Sequence, residues 1–251
     1  MRVAMLAAGV GTRLGMGEDA PPKVLLRFNG QTLLRRHLDI LAHFGLFDLT
    51  MVVGHRADAI EREIAALGAQ ERVTTCFNPD YRSSSLLSLW QLRDVLRAGE
   101  PVLYMDGDVL YDWRLLDRLL SAPQADCILI DRKGELDLEC LEVRLRGGRI
   151  VGFGKGLTLE EYDARAEWIG FARFSAATAE RLAAAIEGYV RAGRVDVIYE
   201  EPMRDVMLDT PDFGCADATG LPWTEIDFPE DLRRARSETL PRLVDLPPRY
   251  E

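Results

Sequence analysis

A short apolar run, Val3–Ala7, leads directly into Ala7-Ala8-Gly9-Val10-Gly11-Thr12-Arg13-Leu14, then Gly15, Gly17 and Pro22-Lys23. Glycines let backbone N–H groups come close to an anion, and open α/β sheets bind ligands at strand ends. The loop therefore reads as a phosphate cradle with Arg13 and Lys23 beside it. A plain tight turn flanked by solvated cations is the bland alternative. Two acidic stretches stand far downstream, Asp106-Gly107-Asp108 and Thr224-Glu225-Ile226-Asp227, the second running into Phe228-Pro229-Glu230-Asp231. Phosphoryl chemistry with a nucleotide uses Mg2+, which takes one or two carboxylates together with phosphate oxygens and water. Acids from two separate strand ends suit that shell, although Asp is also an ordinary turn and N-cap residue. Two common nucleotide templates fail. GxGxxG lacks its third glycine where Leu14 stands, and no Gly-Lys-Ser/Thr follows the loop as a P-loop requires.

These residues need a scaffold that brings strand ends together, and the chain has the rhythm of one. Apolar runs at Val3–Ala7, Leu49–Val53, Val73–Phe77, Pro101–Met105 and Cys127–Ile130 alternate with amphipathic stretches at Gln31–Phe44, Ala57–Leu67, Ser84–Leu96 and Trp113–Leu120. That is the signature of βα units around a mostly parallel sheet. After Asp131 the pattern becomes two-residue alternation on both sides of Gly147-Gly148, in ECLEVRLRGGRIVGFGKG, which predicts a β-hairpin. Beyond it come a strand at Ala166–Phe174, helices at Ala176–Arg191 and Tyr199–Met207, short strands at Phe213–Ala218 and Thr224–Ile226, and a charged helix opening at Pro229. One domain over 1–243 is expected, with a nucleotide-binding half at 1–130, an acceptor-binding half at 131–243 and a loosely packed tail at 244–251.

Composition narrows the function. Over 251 residues, 31 Lys+Arg against 41 Asp+Glu leave a formal charge of −10, which argues against nucleic acid or an anionic lipid surface as a partner. No apolar stretch reaches the length of a membrane span, so neither insertion nor a signal segment is expected, and the cytoplasm is the expected compartment. Cys76, Cys127, Cys140 and Cys215 show no zinc-type spacing and read as buried free thiols. His37, His43 and His55 read as surface or packing residues.

The loop resembles, in sequence, the signature LAAGxGTRLG…PK of the nucleotidyltransferases that join a nucleoside triphosphate to a phosphorylated small molecule, the sugar-phosphate and MobA-like NTP transferase superfamily. The resemblance runs from Val3 to about Arg236. It implies a Rossmann-like, mixed, mostly parallel α/β sheet flanked by helices, the GT-A-like nucleotidyltransferase fold, with a small β-hairpin insertion. It also implies that Leu6, Ala7, Ala8, Gly9, Gly11 and Thr12 bind the nucleotide and that Arg13 and Lys23 are catalytic cations stabilising charge on the α-phosphate and the leaving pyrophosphate. Asp108 and Asp227 become the Mg2+ ligands, with Glu225 nearby and Asp106 a helper on the nucleotide side.

The segment Asn78-Pro79-Asp80-Tyr81-Arg82-Ser83-Ser84-Ser85-Leu86-Leu87-Ser88-Leu89-Trp90 is similar to one that lies beside the base in the cytidylyltransferases for phosphocholine and for phosphonates. It nominates Ser83, Ser84 and Ser88 for the nucleotide, with helix capping as the serines' other role. Ser84-Ser85 stands where those relatives often carry asparagines. In the second half Glu167-Trp168-Ile169-Gly170-Phe171 and Tyr199-Glu200-Glu201 resemble the family's E-x-I-G strand and Y-E-E segment, which with Lys155 after the hairpin makes Lys155, Glu167, Trp168, Tyr199 and Glu200, with Asp205, candidates for the acceptor; an aromatic and acidic pocket suits a quaternary or primary ammonium group. The aromatics could equally be core. The implied activity is a Mg2+-dependent transfer of a cytidylyl group from CTP to a phosphorylated alcohol or phosphonate, of the phosphocholine or 2-aminoethylphosphonate type. The alternatives are a sugar-1-phosphate or inositol-phosphate nucleotidyltransferase using CTP, UTP, GTP or dTTP, and a non-catalytic nucleotide-binding module. The oligomeric state is open, a homodimer included.

Overall fold

The computed structural model describes residues 1–17, 19–132, 140–158 and 161–247. The expected hairpin stretch begins at Glu139, and that residue and tail residues 248–251 lie outside this range.

The chain opens with β1 (Arg2–Ala7), a small ribbon of β2 (Arg27–Phe28) and β3 (Gln31–Thr32), then α1 (Leu33–His43), β4 (Leu49–Val53), α2 (Ala57–Ala66) and β5 (Val73–Phe77). Next come α3 (Ser85–Trp90), α4 (Arg93–Leu96), β6 (Val102–Asp106), β7 (Val109–Tyr111), α5 (Trp113–Leu120) and β8 (Cys127–Asp131). The second half supplies β9 (Glu142–Arg146), β10 (Arg149–Gly154), β11 (Ala164–Phe174), α6 (Ala176–Arg191), α7 (Glu200–Leu208), β12 (Gly214–Asp217), β13 (Trp223–Glu225) and α8 (Pro229–Arg234).

Among the described residues the main sheet has nine strands, ordered β10-β9-β11-β6-β1-β4-β5, with β8 pairing both β11 and β12. β1 lies parallel to β4 and β6, and β4 to β5, whereas β11 runs antiparallel to β6, β8 and β9. This is the mixed, mostly parallel α/β sheet that the sequence predicts. The hairpin is not an appendage, because β9 pairs with β11 and so lengthens the sheet. Gly147 and Gly148 have φ of 56° and 79°, the two positive values that a tight hairpin turn needs. One apolar layer packs α3, α4, α6 and α7 on one face of the sheet, and a second packs α1, α2 and α5 on the other. A third, small cluster of Leu14, Leu26, Phe28, Leu33, Leu110, Ile226 and Ala235 sits under the glycine loop and anchors it through Leu14.

Element boundaries moved where local chemistry overrode periodicity. α1 starts at Leu33 because Thr32 caps it, its hydroxyl accepting from Arg35 N at 3.1 Å, while Gln31 pairs with Phe28. The long helix expected over Ser84–Leu96 is broken after Trp90 into α3 and α4. The final helix is regular only to Arg234 and then widens over Ala235–Thr239. Strand β7 follows Asp108 so closely that it was hidden behind the acidic turn. The tail is tied down at its start, where Val244 N donates to Asp112 at 2.9 Å. Of the four free cysteines Cys127 is buried, while Cys76, Cys140 and Cys215 are partly exposed, in contrast to the uniform burial expected. Among the described residues no helix is long and apolar enough to cross a membrane.

Chain order reverses beside β1: the path runs outward to β4 and β5, then returns to β6 on the other side. Such switch points leave a crevice at the carboxyl ends of the strands. Here it is narrow, since Gly107 N donates to Leu6 O at 3.0 Å across it. Gly170 in β11 is required by both backbone and space, with φ of 87° and an added Cβ only 2.7 Å from Asp106 Oδ2. Gly170→Ala should therefore lower the unfolding free energy by about 2–4 kcal/mol in urea melts, through backbone strain and overpacking together.

Candidate active site

A cavity of about 630 Å3 opens at this crevice, and its walls collect nearly all the residues singled out in the sequence. Leu6, Ala7, Ala8, Gly9, Gly11, Thr12 and Arg13 line one side, and Ser83, Ser84 and Ser88 a second. Lys23, Asp106, Asp108 and Asp227 form the acidic wall, and Lys155, Trp168, Tyr199 and Glu200 come from the second half of the chain. Glu167 is the exception. It lines a different cavity with Trp223, because neighbouring strand residues point to opposite faces and Trp168 takes the inward one. Asp205 also stays out of the cavity, bonded to Tyr189 Oη at 2.6 Å on α7.

The glycine loop is held from outside. His55 N donates to Ala8 O at 3.0 Å, and the His55 ring meets Ala20 O at 3.3 Å. Gly54 allows this approach, since a Cβ there would lie 2.8 Å from Ala8 O and 2.4 Å from Tyr81 Cβ. The loop closes over Thr12–Leu14 as a single tight turn, with Gly11 at φ 69°. The Lys23 stem runs alongside, its Cγ 3.4 Å from where a Gly11 side chain would begin.

The acids meet because β13 pairs antiparallel with β7, setting Glu225 opposite Val109, and Ile226 N donates to Asp108 O at 3.1 Å. Residues more than a hundred positions apart thereby share one ribbon. Ligand oxygens of Asp108, Glu225 and Asp227 all lie within 4.8 Å of one another. Lys23 Nζ donates to Asp108 Oδ2 at 2.8 Å and to Asp227 Oδ1, while Arg13 pairs with the other Asp227 oxygen at 3.1 Å and lies 5.4 Å above the Phe228 ring. Burial alone would pull the Lys23 ammonium down, but the charges of Asp108 and Asp227 outweigh it and hold it above its ordinary value. Burial works against ionised Asp227, but Lys23, then Arg13 and Lys155, overcome it and keep its carboxyl below the usual range. Glu225 is pushed the other way by burial and by Asp108 and Asp227. Three oxygen donors of hard character in one place fit Mg2+.

Asp106 is buried, and both its oxygens are engaged, one by Tyr104 Oη at 2.8 Å and the other by Tyr199 Oη at 2.7 Å. What it presents to the cavity is thus a braced Tyr199. The serines do not cap their helix, since Ser84 makes no side-chain cap. Ser84 Oγ instead donates to Val195 O, and Ser85 Oγ accepts from Tyr199 N at 3.0 Å, tying the wall around α3 to the start of α7. Ser88 accepts from Asn78 Nδ2 at 3.0 Å and is buried.

The search of known proteins follows the same lines. The model of the MobA-like NTP transferase domain matches residues 3–196. The chain belongs to the MobA-like NTP transferase family. It is 31% identical over 240 residues to a bifunctional IPC transferase and DIPP synthase of Rubrobacter xylanophilus, covering 94% of this chain and 51% of the relative. It is 27% identical over 250 residues to the CMP-5'-(3-aminopropyl)phosphonate synthase of Streptomyces rubellomurinus, covering 94% and 38%. The chain thus spans about half or less of the length of these curated relatives. The inositol-1-phosphate CTP transferase from T. maritima shares the fold, with a TM-score of 0.76 at 22% identity over 96% of each chain.

Tyr81, Arg82, Ser85, Gly107, Gly170 and Ile198 also line the cavity and were not singled out for it. Tyr81 and Ser85 stood inside the serine-rich segment, so position alone could have flagged them. Gly170 stood within the Glu167–Phe171 strand segment that pointed to the acceptor side, whereas Ile198 carries no sequence signal of its own.

His37, expected as packing, contacts the acidic turn. Its Nε2 lies 3.1 Å from Gly107 O and its ring stacks 5.5 Å from Tyr111. Burial drives its pKa down to about 4, the Gly107 contact opposing and Arg36 assisting. The unfolded chain therefore binds a proton that the folded protein refuses between about pH 6.5 and 4, so this group's contribution to stability is lost as pH falls through that window. A His37→Gln variant should lose about 2 kcal/mol less stability than the parent between pH 7 and 5, read from denaturant melts at each pH.

Proposed function

We propose that the chain transfers a cytidylyl group from CTP to a phosphorylated small alcohol or phosphonate, with Mg2+, releasing pyrophosphate. The observation that carries this reading is the meeting of Lys23 and Arg13 with Asp108 and Asp227 at the mouth of the glycine loop. A module that only bound a nucleotide would have no need of clustered carboxylates balanced by two cations. The relatives whose names specify a CMP product or a CTP transferase favour cytidine as the base.

The acceptor's phosphate or phosphonate oxygen is already an anion near neutrality and needs no general base. That agrees with a cavity lined by no histidine. Gly9–Thr12 line the cavity where their backbone N–H groups would cradle the triphosphate, and Arg13 and Lys23 would offset the charge that develops on the α-phosphate and the departing pyrophosphate. Asp108 and Asp227, with Glu225, would hold Mg2+, which when bound supplies Lewis-acid neutralisation of phosphate oxygens. The serine-bearing wall serves the nucleotide, while Lys155, Tyr199 and Glu200 serve the acceptor.

Pyrophosphate release with each of CTP, UTP, GTP, ATP and dTTP against phosphocholine, 2-aminoethylphosphonate, inositol 1-phosphate and glucose 1-phosphate tests this. Turnover confined to CTP and an acceptor other than a sugar phosphate is the expected result. A sugar phosphate used with UTP or dTTP would move the chain to the nucleotide-sugar branch of the same chemistry, and silence throughout would leave a binding module. Lys23→Ala should lower kcat by about 10^2–10^3-fold in this assay while the protein stays folded by circular dichroism. Near-parental turnover in that variant would overturn the mechanism.

A further inference from the structure

Glu200 opens α7 and its side chain lines the same cavity. Its Oε2 is shut off from solvent and has no hydrogen-bond partner. Burial, reinforced by the charges of Asp227 and Glu201 against that of Lys155, pushes its carboxyl up to about 7. A buried carboxyl oxygen without a donor is costly, and a ligand group that supplies the donor recovers that cost. The aromatic groups beside it are not arranged as an open cage. Trp168 is 5% exposed, its indole N–H donating to Phe171 O at 3.2 Å. Tyr199 is 9% exposed with its hydroxyl on Asp106, and the two rings meet edge to face at 6.0 Å.

We propose that Glu200 is the residue that selects the acceptor, and that the acceptor carries a primary ammonium group which donates to its Oε2. The proposal rests on the cytidylyl-transfer reading above and makes it narrower. A trimethylammonium group has no N–H to donate and relies on open aromatic faces; of the aromatic rings among the described lining residues, Trp168 and Tyr199 pack on each other and Tyr81 already has the Arg82 guanidinium 5.4 Å from its centroid. A neutral hydroxyl can donate a hydrogen bond but brings no charge to the carboxyl, whereas an ammonium makes the bond charge-assisted. Sites built around a hydrogen bond reject analogues that cannot make it far more strongly than apolar sites reject a change of size.

The test compares phosphoethanolamine with phosphocholine, which differ only in methylation of the nitrogen, with inositol 1-phosphate as the hydroxyl control. Phosphoethanolamine should exceed both in kcat/KM by about 30-fold or more, chiefly through KM. Glu200→Gln should reduce that preference at least about 10-fold while the KM for CTP stays within about twofold, and Glu200→Asp should recover part of it. Equal or better use of phosphocholine or of inositol 1-phosphate overturns the proposal, as does a Glu200→Gln protein that still discriminates. If no acceptor is cytidylylated, the transfer reading fails. Calorimetric binding of the same three ligands in the presence of CTP then decides the Glu200 proposal alone, with preferential binding of the primary amine supporting it and equal affinities overturning it.

Discussion

The site depends on one electrostatic constraint: carboxylates crowded at the end of a buried sheet must be matched by cations of the same chain. Asp108, Glu225 and Asp227 approach closely enough to share a ligand, and Asp106 stands two residues before Asp108, bonded to two tyrosine hydroxyls. Left alone such a group repels itself and its members protonate. Lys23 bonds both aspartates and Arg13 completes the shell of Asp227, whose carboxyl is held below the usual range. Glu225 and Asp106, pushed up by burial and by the neighbouring carboxylates, are the members whose carboxyls rise, Lys23 opposing the rise at Glu225.

Everything that brings these groups together is backbone. The β7–β13 ribbon sets Glu225 beside Asp108, and the parallel register of β1 with β6 pairs Leu6 with Asp106, so the glycine loop and the acidic turn leave the sheet side by side. Three places permit no side chain: Gly107 against Leu6 O, Gly54 against Ala8 O, and Gly170 against Asp106. Each glycine lets a chemically active segment lie against its neighbour, and two buried histidines fasten the same segments, His55 at Ala8 and Ala20 and His37 at Gly107. The helices and the two apolar layers support that backbone, and α3 and α7 also lend Ser88 and Glu200 to the cavity wall.

The glycine loop with Pro22-Lys23, and the two acidic stretches, were legible because their chemistry depends on residue type at fixed spacing along the chain. The parallel strands were legible for a similar reason, since a strand covered on both faces reads as an unbroken apolar run. What was hidden depends on contacts between distant segments. Ser84 and Ser85 looked like caps and prove to be cross-links to Val195 and Tyr199, more than a hundred residues away. Glu167 looked like a neighbour of Trp168 in function because it is one in sequence, yet strand alternation puts the two on opposite faces. The break between α3 and α4 likewise follows from packing, as α4 turns to lie against α6.

The resting arrangement bears on how substrate is received. Lys23 cannot keep both aspartate bonds and also give its full charge to a triphosphate, because an ammonium has three donors and two of them are engaged. Its stem already lies along Gly11, so the third can turn toward the loop without any movement of the backbone. In the proposed reaction an arriving polyphosphate would therefore compete with Asp108 and Asp227 for a cation that is already in position. On the proposed reading the aspartates keep other positive charge when Lys23 turns away, since Arg13 is bonded to Asp227 and the charge of Lys155 reaches it as well. Under the proposed reaction, binding and charge neutralisation then draw on the same cation, because the ammonium that holds Asp108 and Asp227 together is the one placed to reach the polyphosphate.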